Sequence, residues 1–120
     1  MEKFDVIVIG GGPGGYVAAI RASQNGLKTA LVEKEHLGGI CLNWGCIPTK
    51  ALLKSGELLQ KIKHAEEFGI KAANPSFDLE KIVGRSRDIS GKLVGGIKAL
   101  LKKNKVTVFE GTAFINNPKL

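Results

Sequence analysis

Both cysteines of this 120-residue chain fall within six residues, Cys41 to Cys46. In a cytoplasmic protein such a close pair is more often catalytic or metal-binding than structural. If a helix begins at Cys46, the positive end of its dipole and the nearby Lys50 both favour a thiolate there, which is the reactive form of cysteine. The pair therefore predicts a dithiol that cycles through a disulfide.

Two other interpretations of the cysteines stay open at this point. A zinc site needs a third and usually a fourth ligand, and besides carboxylates the chain offers only His36 and His64, which we expect at the surface. Alternatively, both cysteines are buried and inert, and behave as small hydrophobic side chains. The glycines and the lysine around them do not suit a plain core. We therefore favour redox chemistry and predict no metal.

The second chemical motif is rich in glycine. Gly10, Gly12 and Gly15 form the pattern G-x-G-x-x-G, with Pro13 and Gly14 between the last two. The pattern follows a predicted strand and precedes a predicted helix, which is the context in which it binds a dinucleotide. The first glycine permits a tight turn, the second lets the backbone approach a pyrophosphate, and the third allows close packing of helix on strand.

An acidic residue accompanies this loop. Glu33 ends the second predicted strand, eighteen residues after Gly15. A carboxylate there can accept hydrogen bonds from an adenosine ribose and would repel a 2′-phosphate, which disfavours NADP. The alternative is a glycine-rich turn beside a solvated glutamate, but the order of strand, loop, helix and acid favours dinucleotide binding.

The two motifs together favour a flavin. A disulfide exchanges electrons through thiolate attack, whereas a nicotinamide carries a hydride. A flavin accepts electrons from a thiolate at one face and exchanges a hydride at the other. The dinucleotide in the first βαβ unit is therefore predicted to be FAD rather than NAD.

The elements that must position these motifs begin with a βαβ unit. Residues 4–9 form a strand that we expect to be buried on both faces of a parallel sheet, a helix follows and ends at Gly26, and residues 28–33 form the second strand. Residues 34–45 are predicted as a loop. The next helix runs from near Cys46 to near His64, and its buried stripe is formed by Leu52, Leu53, Leu58, Leu59 and Ile62.

The second half of the chain is predicted to be mostly helical. Residues 69–77 form a connector, and Asp78 caps a helix whose glycines weaken or bend it, namely Gly84, Gly91, Gly95 and Gly96. Residues 106–109 form a third strand, and residues 112–115 begin a short extended segment. The predicted fold is α/β, a Rossmann-like FAD/NAD(P)-binding domain with a parallel sheet flanked by helices, C-terminally incomplete because the sheet edges lack partners.

Composition restricts the function further. A chain of this length is one domain at most and is too short for a complete two-substrate redox enzyme. The formal charge of +7 suggests nucleic-acid binding as a function, but the sequence contains no nucleic-acid recognition motif. No apolar run approaches the roughly 18 residues of a membrane-spanning helix, and neither a signal-peptide core nor an Arg-rich leader precedes the first strand. We predict a cytoplasmic protein, or one whose leader is already removed.

Three segments carry a resemblance to a known family. The loop from Gly10 to Gly15, Glu33, and above all residues 38–50, GGICLNWGCIPTK, resemble the FAD domain of the pyridine nucleotide-disulfide oxidoreductases, over essentially the whole chain. Leu42-Asn43 and residues 47–50 are similar to the dihydrolipoamide dehydrogenases of that family, since glutathione and mercuric reductases more often carry valines beside the cysteines. Those reductases and a non-redox nucleotide-binding module remain the alternatives.

The resemblance implies a role for each matching residue. Cys41 corresponds to the interchange thiol, Cys46 to the charge-transfer thiol against the flavin ring, and Lys50 to a residue near the flavin N5 edge. Glu33 binds the adenosine ribose. The remaining FAD contacts implied by the resemblance are Lys34, Gly38, Gly39, Ile40 and Cys41 along the site, and the main chain of Gly111, Thr112 and Ala113 near the adenine.

The resemblance also implies a reaction and partners. Dihydrolipoamide on a lipoyl carrier domain of a 2-oxoacid dehydrogenase complex reduces the Cys41–Cys46 disulfide, and the electrons pass through FAD to NAD. The family is homodimeric, and its NAD-binding domain, its dimer interface domain and its histidine–glutamate base lie beyond residues 1–120. Those residues are therefore expected to form a single FAD-binding domain that does not turn over alone.

Overall fold

The computed structural model describes residues 2–117, so Met1 and residues 118–120 of the predicted domain lie outside the described residues. Strands and helices alternate at the start of the chain, as a βαβ unit requires. The elements are β1 (Val6–Ile9), α1 (Pro13–Gln24), β2 (Thr29–Glu33), α2 (Gly39–Asn43), α3 (Cys46–Lys63), a 3₁₀ turn (Ala65–Phe68), α4 (Leu79–Lys103) and β3 (Thr107–Glu110).

The three strands form one parallel sheet in the order β1-β2-β3. Val8 lies opposite Leu31, which in turn lies opposite Val108. The predicted α/β fold, with a parallel sheet flanked by helices, is confirmed. Because parallel strands end at the same edge of a sheet, the segments that follow β1, β2 and β3 meet there, and these segments contain most of the predicted site residues.

The hydrophobic core lies on one face of this sheet. Ala19 of α1 and Leu101 of α4 are fully buried against Leu31, with Val8 packed beside them. The prediction that β1 is buried on both faces is wrong, since Ile7 and Ile9 are 58% and 56% exposed. Alternate residues of a strand point to opposite faces. Both α1 and α4 pack on the Val8 face, and within residues 2–117 the opposite face of β1 stays open.

Local signals place the helix ends where the sequence predicts them. Pro13 is the first residue of α1, and Gly26 follows its end with φ +87°, a conformation in which a Cβ is strained. Asp78 caps α4, since its side chain accepts a hydrogen bond of 3.0 Å from the backbone N–H of Lys81. These are short-range interactions, which explains why the sequence alone identifies them.

α3 and α4 form a helical hairpin. α4 is continuous over 25 residues, roughly 37 Å, so the four glycines within it do not interrupt the helix. The predicted buried stripe of α3 is wrong in part: Leu52, Leu53 and Leu58 are exposed, while Leu59 and Ile62 are half-buried. The reason is that, within residues 2–117, α3 packs mainly along α2 and α4, and the hairpin extends away from the sheet in a molecule of 67 × 26 × 20 Å.

One further expectation needs correction. Residues 34–45 are not all loop, because residues 39–43 form the short helix α2, whose Leu42 is buried. A helix of five residues has no room for an amphipathic repeat, so its sequence lacks the periodic signal of a longer helix. Residues 112–115 belong to no strand or helix, and their extended conformation stays a prediction. Within residues 2–117, no helix combines the length and the apolar character needed to cross a membrane.

Candidate redox and dinucleotide site

The glycine loop between β1 and α1 is a tight turn. Gly10 has φ +100°, and its N–H donates to the carbonyl of Val32 at 2.8 Å. A Cβ on Gly15 would lie 1.8 Å from the carbonyl oxygen of Gly10, so helix and strand approach more closely than any other residue permits. The predicted turn and the predicted close packing therefore both occur in this loop.

The same loop fits an anionic dinucleotide. Gly12 is the N-cap of α1 and, among the described residues, no side chain caps this helix end. The backbone N–H groups of Gly14 and Gly15, in the first turn, have no acceptor within the helix and are free for an anion. A Cβ on Gly14 would meet nothing within 4 Å, so the space beside the loop is open.

Glu33 lies against this loop at the end of β2. Its carboxylate accepts hydrogen bonds from the backbone N–H groups of Gly11, at 2.6 Å, and Glu35, at 2.8 Å. Burial acts to raise the pKa of Glu33, but the backbone hydrogen bonds from Glu35, Gly11 and their neighbours together hold that pKa below its usual value. The side chain is therefore ionised at neutral pH and bonded to the loop. Its contact with a ribose remains a prediction.

Gly11 is a site residue that the sequence argument missed. It is buried, and a Cβ there would lie 2.8 Å from Leu37 Cδ1 and 3.1 Å from the Glu33 carboxylate. Its carbonyl accepts a hydrogen bond of 2.8 Å from the N–H of Gly38. The only sequence signal for this role is the unbroken run Gly10-Gly11-Gly12, which places a third glycine at a variable position of the motif.

The glycine loop and the cysteine segment are in contact. A Cβ on Gly39 would lie 2.8 Å from the Cα of Gly12. Gly38 and Gly39 have φ +94° and +61°, which side chains other than hydrogen rarely allow. These glycines turn the chain from β2 into α2 directly above the loop. The two motifs thus form one continuous site.

The two cysteines lie on adjacent helices. Cys41 is in α2 and half-buried, whereas Cys46 is the first residue of α3 and exposed. Gly45 brings the helices together, since a Cβ there would lie 3.0 Å from the carbonyl oxygen of Ile40 and 3.2 Å from the Cα of Cys41. Both residues are free thiols in the structure. The predicted helix start at Cys46 is confirmed.

The thiols influence each other. A hydrogen bond with Cys46 is the main cause that raises the pKa of Cys41, burial adds to it, and the charge of Lys50 opposes it. The sequence argument places the effect of Lys50 on Cys46, which stays a prediction; in the structure the charge of Lys50 acts to lower the pKa of Cys41. A cation near a thiol favours its thiolate, which is the form that takes part in disulfide exchange.

The predicted adenine-side residues lie at the same sheet edge. The N–H of Gly111 donates to the carbonyl of Glu33 at 2.8 Å, so residues 111–113 begin beside Glu33. Lys34 is exposed and pairs with Glu35 at 3.4 Å. The structure thus brings all the predicted cofactor-binding residues to one edge of the sheet or to the adjoining segment of α2 and α3.

The two histidines have other side chains as partners. The ring of His36 packs edge-on against Trp44 with centroids 4.9 Å apart, and His64 is exposed and bonds to Glu67 at 3.2 Å. In residues 2–117, no three histidine, cysteine or acidic side chains come close enough to hold a metal ion. Both histidines therefore lie at the surface of this chain, as predicted.

The family model described as pyridine nucleotide-disulphide oxidoreductase matches residues 4–119. The chain belongs to this family. Dihydrolipoyl dehydrogenase of Zymomonas mobilis is 60% identical over 92% of this chain and 24% of its own length, and that of Bacillus subtilis is 49% identical over 98% and 25%. The chain thus spans about a quarter of the length of these curated relatives.

A solved structure of the same architecture supports the family assignment. LpdA of Mycobacterium tuberculosis superimposes with a TM-score of 0.79 at 28% identity, over 88% of this chain and 23% of LpdA. The expected membership of the pyridine nucleotide-disulphide oxidoreductases is confirmed, and so is the fold. The family is named after a nucleotide and a disulfide, and in this chain the glycine loop and the cysteine segment are in contact.

Proposed function

We propose that this chain is the FAD-binding part of an NAD-dependent dihydrolipoyl dehydrogenase. The observation that carries the proposal is the contact between Gly12 and Gly39, which joins a dinucleotide loop to a dithiol. The names of the relatives favour this member of the family over the other disulfide reductases, since several are dihydrolipoyl dehydrogenases at 49–60% identity.

FAD would lie along the sheet edge described above. The N-terminal N–H groups of α1, at Gly14 and Gly15, would hold its pyrophosphate. Glu33 would bind the ribose, residues 111–113 would contact the adenine through their main chain, and residues 38–41 with Lys50 would line the flavin end. When bound, the flavin would supply the conversion between two-electron thiol chemistry and hydride transfer to NAD.

The chain's own residues would perform the disulfide exchange. With the pair oxidised, a thiolate of dihydrolipoamide attacks the sulfur of Cys41, the Cys41–Cys46 bond breaks, and its electron pair leaves on Cys46. The second substrate thiol loses its proton, attacks the substrate sulfur of this mixed disulfide, and expels Cys41 as a thiolate. The substrate is oxidised to its cyclic disulfide, and the protein pair is reduced by two electrons. The charge of Lys50 would favour the thiolate of Cys41.

The remaining parts of the proposal concern the whole protein. The substrate would arrive on a lipoyl carrier domain of a 2-oxoacid dehydrogenase complex in the cytoplasm. NAD binding and homodimerisation would be supplied from outside residues 1–120, which would form a single FAD-binding domain. The supporting observation is that relatives of this function are about four times as long as the chain.

A visible absorption spectrum tests the proposal. The intact protein is mixed with FAD and recorded before and after one equivalent of dihydrolipoamide. We expect a bound-flavin spectrum that gains a long-wavelength charge-transfer band on reduction. Cys46→Ser should abolish this band, whereas Cys41→Ser should show it without any reductant, because Cys46 then cannot form the disulfide.

Three other outcomes would refute parts of the proposal. Bound flavin without the band in any variant would remove the redox role of the cysteines. The band surviving in Cys46→Ser would reverse the roles of the two thiols. A folded protein that binds no flavin would instead support a nucleotide-binding module of another kind.

A further inference from the structure

Asn43 lies between the two cysteines in sequence and is the last residue of α2. Its side-chain Nδ2 donates to the carbonyl of Leu37 at 3.1 Å and to that of Gly39 at 2.9 Å. These bonds tie the end of α2 back to its beginning. They hold the turn that enters the helix, but they leave the backbone carbonyl of Asn43 available for a different partner.

That partner is Arg87 of α4. Its Nη1 donates to the Asn43 carbonyl at 2.8 Å, although the two residues are 44 positions apart in the chain. The last carbonyls of a helix have no acceptor role within it, and a cation at that end also suits the helix dipole. Because a helix of five residues is too short to be stable by itself, contacts of this kind determine where α2 lies.

The position of this bond relates it to the thiols. Cys41 precedes Asn43 by two residues and Cys46 follows it by three, so the bonded carbonyl lies in the backbone that joins the two sulfurs. Gly45 also belongs to this connection, and a Cβ added there would lie 3.0 Å from the carbonyl oxygen of Ile40, so a larger residue would crowd the backbone between the cysteines. Restricting this short connection raises the effective concentration of one thiol at the other.

We propose that Arg87 is a positioning residue for the redox pair: by holding the Asn43 carbonyl, it keeps Cys41 and Cys46 close and favours their disulfide over the dithiol. The proposal rests on the redox function proposed above. Arg87 touches neither sulfur and takes no part in the exchange itself. It acts by fixing the connection between α2 and α3 from outside the site.

Arg85 provides a matched control on the same helix. It has the same side chain and also donates to a backbone carbonyl, that of Ala51 in α3, at 3.2 Å. That bond lies beyond Cys46 and outside the connection between the cysteines. Removing it weakens the packing of α3 on α4 without releasing the Asn43 carbonyl, so it separates a general structural effect from a specific one.

The experiment measures the thiol–disulfide equilibrium of the pair in the intact protein. The protein is equilibrated in glutathione buffers, where two glutathione thiols reduce one protein disulfide and form glutathione disulfide. It is then quenched in acid and alkylated, and mass spectrometry of the peptide with both cysteines gives the oxidised fraction. Wild type is compared with Arg87→Gln, Arg87→Lys and Arg85→Gln, each checked for fold by circular dichroism.

We expect Arg87→Gln to shift the equilibrium about three- to tenfold towards the dithiol, the range that one exposed hydrogen bond of ordinary strength supports. Arg87→Lys keeps a cationic donor and should recover part of the shift, and Arg85→Gln should match wild type. Should Arg87→Gln fail to fold, Arg87→Lys and Arg85→Gln still decide, since only the former is expected to depart from wild type.

Two results would overturn this inference while leaving the proposed function intact. One is an unchanged equilibrium in both Arg87 variants. The other is an equal shift in the Arg85 and Arg87 variants, because then α4 packing in general would be the cause. A wild-type pair that stays reduced in every buffer would instead refute the proposed redox function itself.

Discussion

Adding one methyl group at Gly15 is expected to disrupt the dinucleotide site more than any other single-atom change in the loop. A Cβ at this position would lie 1.8 Å from the carbonyl oxygen of Gly10 and 2.9 Å from its carbonyl carbon. Both are backbone atoms, so no side-chain rotation relieves the overlap. The N–H of Gly10 is held by Val32 at 2.8 Å, which resists movement of the strand end.

The size of the effect follows from the required movement. To increase the separation from 1.8 Å to 3.4 Å, where ordinary van der Waals contact begins, α1 and the end of β1 must move apart by about 1.6 Å. Overpacking of a rigid region costs about 3 kcal/mol. The same movement displaces the N–H groups that would hold the pyrophosphate, and each hydrogen bond to a charged group is worth about 1.5–3 kcal/mol. We therefore expect FAD affinity to fall by about 10- to 100-fold.

Gly91→Ala is the control for this experiment. Gly91 lies inside α4, and a Cβ there meets nothing within 4 Å. The same methyl group should stabilise the protein by about 0.5–1 kcal/mol, because glycine is a poor residue inside a helix. Denaturation followed by circular dichroism and flavin titration of the intact protein measure both variants. A Gly15→Ala protein with unchanged stability and unchanged flavin affinity would refute the reasoning about close packing.

Three further predictions concern charge and capping. Glu33→Gln keeps one acceptor but sets an amide donor against the N–H of Gly11 or Glu35, which should lower the free energy of unfolding by about 1 kcal/mol at neutral pH. Because the folded-state pKa of Glu33 is lowered, its contribution to stability is present above pH 4.5 and is lost as the pH falls below that value. The variant and wild type should therefore have the same stability in acid. Glu57 should titrate by NMR with a pKa of about 2, losing its ion pairs between pH 4.5 and about 2, and a midpoint near 4.5 would contradict its pairing with Lys54 and Lys61. Asp78→Ala removes the cap of α4 and should lower the free energy of unfolding by about 1 kcal/mol. Coincident melting curves for the variant and wild type would contradict this role of Asp78.

The parts of the fold that the sequence predicts correctly depend on neighbouring residues. The end of α1 at Gly26 and the cap at Asp78 each involve residues fewer than five positions apart. The start of α3 at Cys46 belongs to the same class. The parallel order of the strands follows from the βαβ connection, which a single local pattern also identifies.

The parts that sequence reasoning misses depend on distant contacts. α2 is fixed by the bond from Arg87 and by the burial of Leu42, and neither leaves a periodic pattern. The open face of β1 depends on where α4 packs, which the residues of β1 do not encode. Apolar side chains such as Leu53 carry the signal of a buried stripe whether or not a neighbour covers them.

For the site itself, the sequence identifies both motifs but not their contact. The distance between Gly12 and Gly39 depends on the path of residues 34–38, which includes the bond from Gly38 to the carbonyl of Gly11. A side chain at Gly39, whose Cβ would lie 2.8 Å from the Cα of Gly12, would therefore disturb the glycine loop and the cysteine segment together, and its two effects could not be separated. Arg87 instead bonds to the carbonyl of Asn43, between the two cysteines in sequence, from α4, a helix that provides none of the predicted nucleotide contacts. Substitutions at Arg87 should thus change the thiol–disulfide equilibrium while leaving the glycine loop in place. They allow the redox properties of the cysteines to be measured independently of cofactor binding.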